Sequence, residues 1–338
     1  MIRAFAPGRV NVIGDHTDYT GGLVLPCAIN FGTTVTFEPG GSTLELVSAD
    51  EPEPASVAVP VHAPESVSPA WARYPAAVAA ELRATTGGRV AVETTLPIGA
   101  GLSSSAALEV AVALALGYEG STTDLALLCQ RAEQRAVGVP TGVMDQLASA
   151  AGIGGALLLI DCTTLEVTPV PLPGDVAIVV VDSAEPRALA GSEYAERRAA
   201  CEAAIAEIGP LRAASMADVE RVSDPVARRR ARHVVTENLR VAGAAAALGA
   251  GEPHRAGEAM IASHASLRDN FEVSTPALDS LVERLAATEG VYGARLTGAG
   301  FGGCVVALVT ASAAETVAES FEGWVVRPSP GARVTTGG

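Results

Sequence analysis

The 338-residue sequence contains no lysine, because all 23 of its basic residues are arginines. This absence excludes a Walker phosphate loop, which ends in Gly-Lys-Ser/Thr, as well as a protein-kinase ATP site and a Schiff-base lysine. Basic charge is scarce in total, since 38 acidic residues give a formal net charge of −15. A nucleic acid or an anionic membrane surface needs a basic footprint, so neither is expected as a partner.

Cysteines and long apolar runs are also few. The five cysteines are scattered without a C-x-x-C pair, which is typical of buried, reduced thiols in a cytoplasmic protein. No charge-free apolar run reaches the ~18 residues that span a bilayer, and the N-terminus lacks the apolar stretch of a secretory signal. We therefore expect a cytoplasmic protein without a membrane partner. Its hydrophobic content of 49% is sufficient for the core of one large or two ordinary domains.

The stretch from Pro97 to Leu108 reads P-I-G-A-G-L-S-S-S-A-A-L. It follows an alternating apolar run, Val90 to Leu96, which predicts a strand, and it opens an Ala/Leu/Val run, Ala106 to Leu116, which predicts a buried helix. Unpaired backbone N–H groups and the helix dipole at such a helix start favour negative charge.

Two glycines and three serines give this stretch its chemical character. Gly99 and Gly101 lack a Cβ, so an anion can approach the backbone closely. The hydroxyls of Ser103, Ser104 and Ser105 can bind phosphate oxygens or a hydrated metal ion. The pattern indicates a phosphate-binding turn, and the alternative for such a turn is an ordinary helix N-cap.

Two further polar turns are candidates for function. The turn after a short V-N-V-I strand carries Asp15, His16 and Asp18, a combination that suits a metal site, a sugar site or a solvated turn. The Gly/Pro turn at 138–142 delivers Asp145 to the start of a helix, where the dipole keeps a carboxylate ionised. The alternative for Asp145 is an acid that only stabilises its helix.

The remaining patterns define the organisation of the chain. Trp71 begins a predicted helix, and its aromatic ring suits either base stacking or core packing. A domain boundary is expected near residue 175, before a helix-rich half that ends in two strands around a second glycine-rich loop, 298–303. A helix capped by Asp124 is expected before the 138–142 turn, and the tail from Pro328 is expected to be loose.

Three segments taken together resemble the motifs of one enzyme family. They are Gly8 to Tyr19, Pro97 to Leu108 and Ala294 to Cys304. The set is similar to the GHMP small-molecule kinases and most similar to their galactokinase branch. Further branch-like segments begin at Trp71, Gly138, Gly191, Arg232 and Ser266. The resemblance thus covers nearly the whole chain in the family's order.

The resemblance implies an α/β (α+β) fold, the two-domain GHMP kinase-like fold with the active site in the inter-domain cleft. The N-terminal domain would comprise residues 1–175 and the C-terminal domain residues 176–338. The implied reaction is the ATP-dependent phosphorylation of galactose at its C1 hydroxyl, with Mg²⁺, to give galactose 1-phosphate and ADP. The implied partners are the sugar and ATP, and the protein is expected to be a monomer.

The resemblance also implies roles for individual residues. Asp145 matches the catalytic carboxylate and Arg9 the arginine beside it. The sugar-contacting positions are Asp15, His16, Asp18, Gly142 and Tyr194. The nucleotide-binding positions are Trp71, Tyr74, Gly99, Ala100, Gly101, Leu102, Ser103, Ser104 and Ser105. The Mg²⁺-binding positions are Ser105 and Glu133.

One departure from the family leaves the sugar open. Asp15 stands where galactokinases usually carry Glu, and the shorter acid allows a kinase for N-acetylgalactosamine or L-arabinose, while its charge disfavours a uronic acid. A second alternative is a non-catalytic sensor that binds galactose and ATP. The unbroken run from Ser103 to Leu108, together with the retained Asp145, favours the enzyme.

Overall fold

The computed structural model describes residues 1–97, 101–185 and 190–335. Thirteen strands are described: β1 Ile2–Asn11, β2 Leu23–Val24, β3 Pro26–Pro39, β4 Thr43–Ser48, β5 Ala55–Ala58, β6 Gly88–Thr94, β7 Ala156–Asp161, β8 Glu166–Pro171, β9 Val176–Asp182, β10 Val291–Thr297, β11 Cys304–Thr310, β12 Trp324–Val326 and β13 Arg333–Thr335. The described α-helices are α1 Arg73–Glu81, α2 Ser104–Ala115, α3 Thr122–Val137, α4 Met144–Ala151, α5 Ala190–Ile208, α6 Met216–Val219, α7 Pro225–Gly249, α8 Pro253–Ser266, α9 Pro276–Ala286 and α10 Ala314–Ser320.

The first half of the chain is built on a six-stranded sheet in the order β13-β1-β3-β6-β4-β5. Its long central pair, β1 and β3, is antiparallel, and a bulge between Pro7 and Arg9 interrupts the ladder. Alanine- and valine-rich faces of α1, α2 and α3 pack with this sheet in one core, which includes Ala77, Val92 and Val110. The small side chains of these helices allow them to lie close to the strands.

The second half is built on a four-stranded sheet in the order β10-β11-β9-β12. The continuous apolar run of β11 is explained by burial on both faces. Because successive side chains point to opposite faces, Val305 and Ala307 enter one core with α9 and α10, while Val306 and Leu308 enter another.

That second core is shared between the two halves of the chain. It contains Val10 and Leu25 from the first half and Met260 and Val306 from the second. A small three-stranded sheet in the order β2-β7-β8 joins a short strand from the start of the chain to two strands that directly precede β9. We propose the domain division near residue 175, where β9 starts the four-stranded sheet, with the two domains joined by this shared core.

Two local expectations were wrong. The tail is not loose, because β13 pairs antiparallel with β1 and places Thr335 opposite Arg3. Helix α3 starts at Thr122, and its cap is Ser121, whose side chain accepts a hydrogen bond from the Asp124 N–H. Ser121 at the N-cap position satisfies a backbone N–H of the first turn, whereas Asp124 lies inside that turn and interacts with the helix dipole. Among the described residues, every helix is too short or too polar to cross a lipid bilayer.

Candidate active site

Arg9 and Asp145 form the most direct ionic contact of the site. Arg9 lies just after the bulge in β1, and Asp145 lies in the first turn of α4. The guanidinium donates from Nε to Oδ1 at 2.6 Å and from Nη2 to Oδ2 at 2.5 Å. Its Nη1 also donates to the Gly101 carbonyl at 2.9 Å. This bidentate geometry holds the carboxylate at the helix start in one orientation.

The serine-rich turn, residues 101–105, reaches the same carboxylate. Ser103 directly precedes α2, and its hydroxyl donates to Asp145 Oδ2. The Leu102 carbonyl accepts from the Arg9 N–H at 3.1 Å, and the Leu102 side chain lies in the shared core. The turn that was expected to bind phosphate therefore also contacts Arg9 and Asp145. Gly99 and Ala100 lie outside the described residues.

Glu133 on α3 is surrounded by donors from three segments. It accepts from the Ser105 hydroxyl at 2.9 Å, from the Thr141 hydroxyl at 2.8 Å and from Gln146 Nε2 at 3.0 Å. Burial raises the pKa of Glu133, and the negative charge of Asp145 raises it further. Within residues 1–97, 101–185 and 190–335, no group of three or more His, Cys, Asp or Glu side chains could hold a metal. A single carboxylate beside a hydroxyl nevertheless suits Mg²⁺, which keeps several waters and takes further oxygens from a substrate's phosphates.

A cavity of about 460 Å³ opens beside Asp145 and Glu133. It brings together both catalytic candidates and all five sugar-contact candidates. Its walls include Arg9, Asp15, His16, Asp18, Tyr74, Glu133, Thr141, Gly142, Met144, Asp145, Tyr194, Gly298 and Ala299. The volume and the mixture of carboxylates with aromatic rings fit a small, polar, hydroxylated ligand.

Asp18 and Gly142 lie in close contact in the wall of the cavity. A Cβ added at Gly142 would lie 1.7 Å from Asp18 Oδ2, so only glycine allows this approach. Burial, followed by the nearby charge of Asp145, raises the pKa of Asp18 to about 7. Asp18 is thus a carboxyl group whose charge changes near neutral pH.

His16 is held by two partners within the protein. Its Nε2 lies 3.1 Å from the Ala299 carbonyl oxygen, and its Nδ1 lies 3.0 Å from the Tyr19 hydroxyl. Burial lowers the pKa of His16 to about 3, so the ring is neutral. A carbonyl can only accept, which places the proton on Nε2 and makes Tyr19 the donor to Nδ1. A hydrogen bond from His16 to a sugar would require one of these partners to be displaced.

Asp15 is paired with an arginine from the second half of the chain. Its Oδ2 lies 2.5 Å from Arg295 Nη2, and its Oδ1 accepts from the Gly298 N–H at 2.9 Å. Arg295 is fully buried on β10 and also donates to the Val12 carbonyl at 3.2 Å. Burial raises the pKa of Asp15, and the charge of Arg295 opposes that rise.

A second cavity, of about 260 Å³, adjoins the first through Tyr74, which lines both. Trp71, Ser104 and Ser105 line it as well. The Trp71 indole donates to the Glu53 carbonyl at 3.0 Å, which fixes the ring at the mouth of the cavity. The second cavity thus brings together four of the nucleotide-binding candidates, Trp71, Tyr74, Ser104 and Ser105. The Ser105 hydroxyl also donates to Glu133.

Comparisons with known proteins identify the family of this chain. Three family models match: the galactokinase galactose-binding signature at residues 2–39, the GHMP kinases N terminal domain at 73–153 and the GHMP kinases C terminal at 244–325. The chain is 43% identical to the galactokinase of Haemophilus influenzae strain PittGG over 326 residues, 91% of this chain and 85% of that protein. It is also 43% identical to human galactokinase over 328 residues, 91% of this chain and 84% of that protein.

The chain belongs to the galactokinase family. The solved structure of Lactococcus lactis galactokinase complexed with galactose is similar over 98% of this chain and 94% of that chain, with a TM-score of 0.92 and 32% identity. The solved structure of L. major mevalonate kinase is less similar, with a TM-score of 0.69 at 20% identity over 97% of this chain and 96% of that chain. That likeness shows the fold alone. The expected two-domain GHMP kinase fold is confirmed.

Sequence reasoning missed two buried residues that organise this galactokinase-family site. No role was assigned from the sequence to Arg295, which lies in the Ala294–Cys304 motif, or to Gln146, which lies in the segment that begins at Gly138. Gln146 Nε2 bridges Glu133 and the fully buried Glu109 at 3.0 and 3.1 Å. The signal in the sequence was a charged residue, Arg295, within an apolar strand. A charge buried in such a strand requires a partner, which predicts an ion pair there.

Proposed function

We propose that this member of the galactokinase family transfers the γ-phosphoryl group of ATP to the C1 hydroxyl of galactose, giving ADP and galactose 1-phosphate. The observation that carries the proposal is Asp145, which Arg9 holds in bidentate contact on the wall of the cavity that also contains the sugar-contact candidates. The serine-rich turn of α2 adjoins the same carboxylate. This places the proposed base beside both the cavity proposed for the sugar and the turn proposed to bind phosphate.

Asp145 would accept the hydrogen bond of the C1 hydroxyl and receive its proton. The sugar oxygen would form the new bond to the γ-phosphorus while the bond from phosphorus to the bridging oxygen of ADP breaks. Arg9 would keep Asp145 oriented and would lie close to the negative charge that spreads over the transferring group. Arginine suits this place because its guanidinium retains its proton throughout.

Glu133 and Ser105 would hold Mg²⁺, since their oxygens lie together at 2.9 Å at the start of α2. When bound, Mg²⁺ would neutralise charge on the phosphates of ATP. Thr141 and Gln146 would keep the Glu133 carboxylate in place through their hydrogen bonds. Tyr74, between the two cavities, and Trp71, in the second, would line the site of the adenosine portion.

The test is an ADP-release assay with ATP and Mg²⁺ across galactose, N-acetylgalactosamine, L-arabinose, galacturonate and mevalonate. Selective turnover of galactose is the expected result. Turnover of another sugar instead would contradict the proposed substrate and make Asp15 the first residue to examine. Galactose that raises the melting temperature while no ADP forms would contradict the proposed activity and support a sensor.

A further inference from the structure

Ser103 makes a contact unlike that of an ordinary helix-capping serine. It is the residue before α2, yet its side chain does not bond to an N–H of that helix. The hydroxyl instead donates to Oδ2 of Asp145, 42 residues further along the chain. The side chain is buried, so water does not compete strongly for this contact.

The backbone of Ser103 is unfavourable for a residue with a side chain. Its φ of 59° and ψ of 53° lie in the left-handed region, which favours glycine. Glycine would adopt this left-handed conformation without steric cost, whereas serine adopts it less favourably. A serine in this conformation whose hydroxyl bonds to Asp145 therefore points to a role at Asp145 and not in the turn.

The hydrogen bonds of Asp145 are distributed unevenly between its two oxygens. Within the part of the chain that the structure describes, Oδ2 accepts from both Arg9 Nη2 and Ser103, while Oδ1 accepts only from Arg9 Nε. A carboxylate oxygen offers about two acceptor positions. Oδ2 is thus filled, and Oδ1 keeps one position that no residue in 1–97, 101–185 or 190–335 occupies.

We propose that Ser103 is a positioning residue for phosphoryl transfer. With Arg9 it occupies Oδ2 of Asp145, fixes the rotation of the carboxylate and leaves Oδ1 as the atom that meets the C1 hydroxyl. This proposal rests on the proposed function, because it specifies which oxygen of the proposed base faces the sugar. The hydroxyl acts through Asp145 and does not itself receive the proton.

The test compares Ser103→Gly with Ser103→Ala. Both variants lose the hydroxyl, while only glycine relieves the left-handed backbone. We expect kcat to fall about ten- to hundredfold in both, the range for one hydrogen bond to a charged group. The KM for galactose should change by less than about threefold, because Ser103 acts on the sugar through Asp145.

A double-mutant cycle with Asp145→Asn separates positioning from a structural role. If Ser103 acts through Asp145, Ser103→Gly should lower kcat by less than about twofold in the Asp145→Asn background. Arg83→Gly is the matched backbone control, because Arg83 is exposed after α1 and has a left-handed φ of 53°. It should leave kcat unchanged.

A kcat within about twofold of wild type in both Ser103 variants would overturn the proposal. So would a normal kcat in Ser103→Gly with a loss only in Ser103→Ala. A third contrary result is a double variant whose loss of kcat equals the product of the losses from Ser103→Gly and Asp145→Asn. Wild-type protein that binds galactose without forming ADP would contradict the proposed function itself. The two failures are therefore distinguished before any variant is compared.

Discussion

At the scale of single residues, the proposed chemistry depends first on Asp145. Asp145→Asn keeps the size of the side chain and removes the proton acceptor. We expect kcat to fall by roughly 10²–10⁴, the range for a positioned acid–base group, while galactose still binds. ADP release and calorimetric titration with galactose measure the two properties separately. A near-normal kcat would show that Asp145 is not the base.

Gly142 is required by the position of Asp18. The methyl group of Gly142→Ala would collide with Asp18 Oδ2, so the carboxylate must move. We expect the KM for galactose to rise about tenfold or more, with the KM for ATP nearly unchanged. Gly243→Ala is the matched control, because Gly243 lies within α7 and a Cβ there meets no atom within 4 Å. The control should keep both KM values and gain up to about 1 kcal/mol in stability.

Asp18 should make sugar binding depend on pH. Its pKa of about 7 means that the carboxyl is protonated below neutral pH and loses acceptor positions for sugar hydroxyls. The KM for galactose should therefore rise as pH falls from about 8 to about 6. The KM measured across this range provides the test, and a flat profile would contradict a sugar contact through ionised Asp18.

The same shift has a consequence for stability. The folded-state pKa of Asp18 lies above its ordinary value of 3.8, so the folded protein binds the proton more tightly than the unfolded chain. The stabilisation of the folded state by this bound proton is complete below about pH 4 and is lost as pH rises through about 7. At about pH 8, Asp18→Asn should consequently raise the free energy of unfolding, by an amount on the order of 1 kcal/mol. A lower stability for this variant would mean that the charged form is well solvated in the folded state.

At the scale of elements, the sequence best predicted the helices and strands that follow from periodicity or turn residues within a short stretch. The start of α4 at Asp145 and the strand before the serine-rich turn follow from short stretches of sequence. Pairings between distant segments have no such local signal. The bond from Ser103 to Asp145 and the ion pair from Asp15 to Arg295 depend on how β1, α2 and β10 are packed.

The C-terminal tail, which was expected to be loose from Pro328, is an element that local reasoning misjudged. The Gly331 N–H donates to the Gly152 carbonyl at 2.7 Å, and the Ala332 N–H donates to the Ser149 carbonyl at 3.0 Å. Ser149 lies in α4, and β13 pairs with β1, so the tail contacts both elements that carry the Asp145–Arg9 pair.

Gly331→Ala tests the role of the tail without shortening the chain. A Cβ at Gly331 would lie 2.3 Å from the Ala150 carbonyl oxygen, whereas a Cβ at Gly174 would meet no atom within 4 Å. We expect Gly331→Ala to lower the free energy of unfolding by about 1–3 kcal/mol and Gly174→Ala to change it by less than about 0.5 kcal/mol. Equal stabilities in denaturant titrations would mean that the tail does not support α4.

At the scale of the whole molecule, the shared core determines how the two halves are coupled. Its residues come from β1 and β3 on one side and from α7, α8 and β11 on the other, and the buried pair of Asp15 with Arg295 also joins the halves. Separating the halves would expose this apolar surface and leave a buried charge without its partner. We infer that neither half buries all of its apolar surface without the other.

The two tryptophans make this coupling measurable, because one lies in each half of the chain. Trp71 packs on the core of the six-stranded sheet, and Trp324 lies in β12 of the four-stranded sheet. The variants Trp71→Phe and Trp324→Phe each leave a single fluorescent reporter.

Because the halves share a core, both variants should unfold in one transition, with the same midpoint by fluorescence and by circular dichroism. Saturating galactose should raise both midpoints together, since the cavity has walls from both halves. Reporters that unfold at different denaturant concentrations would show instead that the halves are independent and that the shared core contributes little to their coupling.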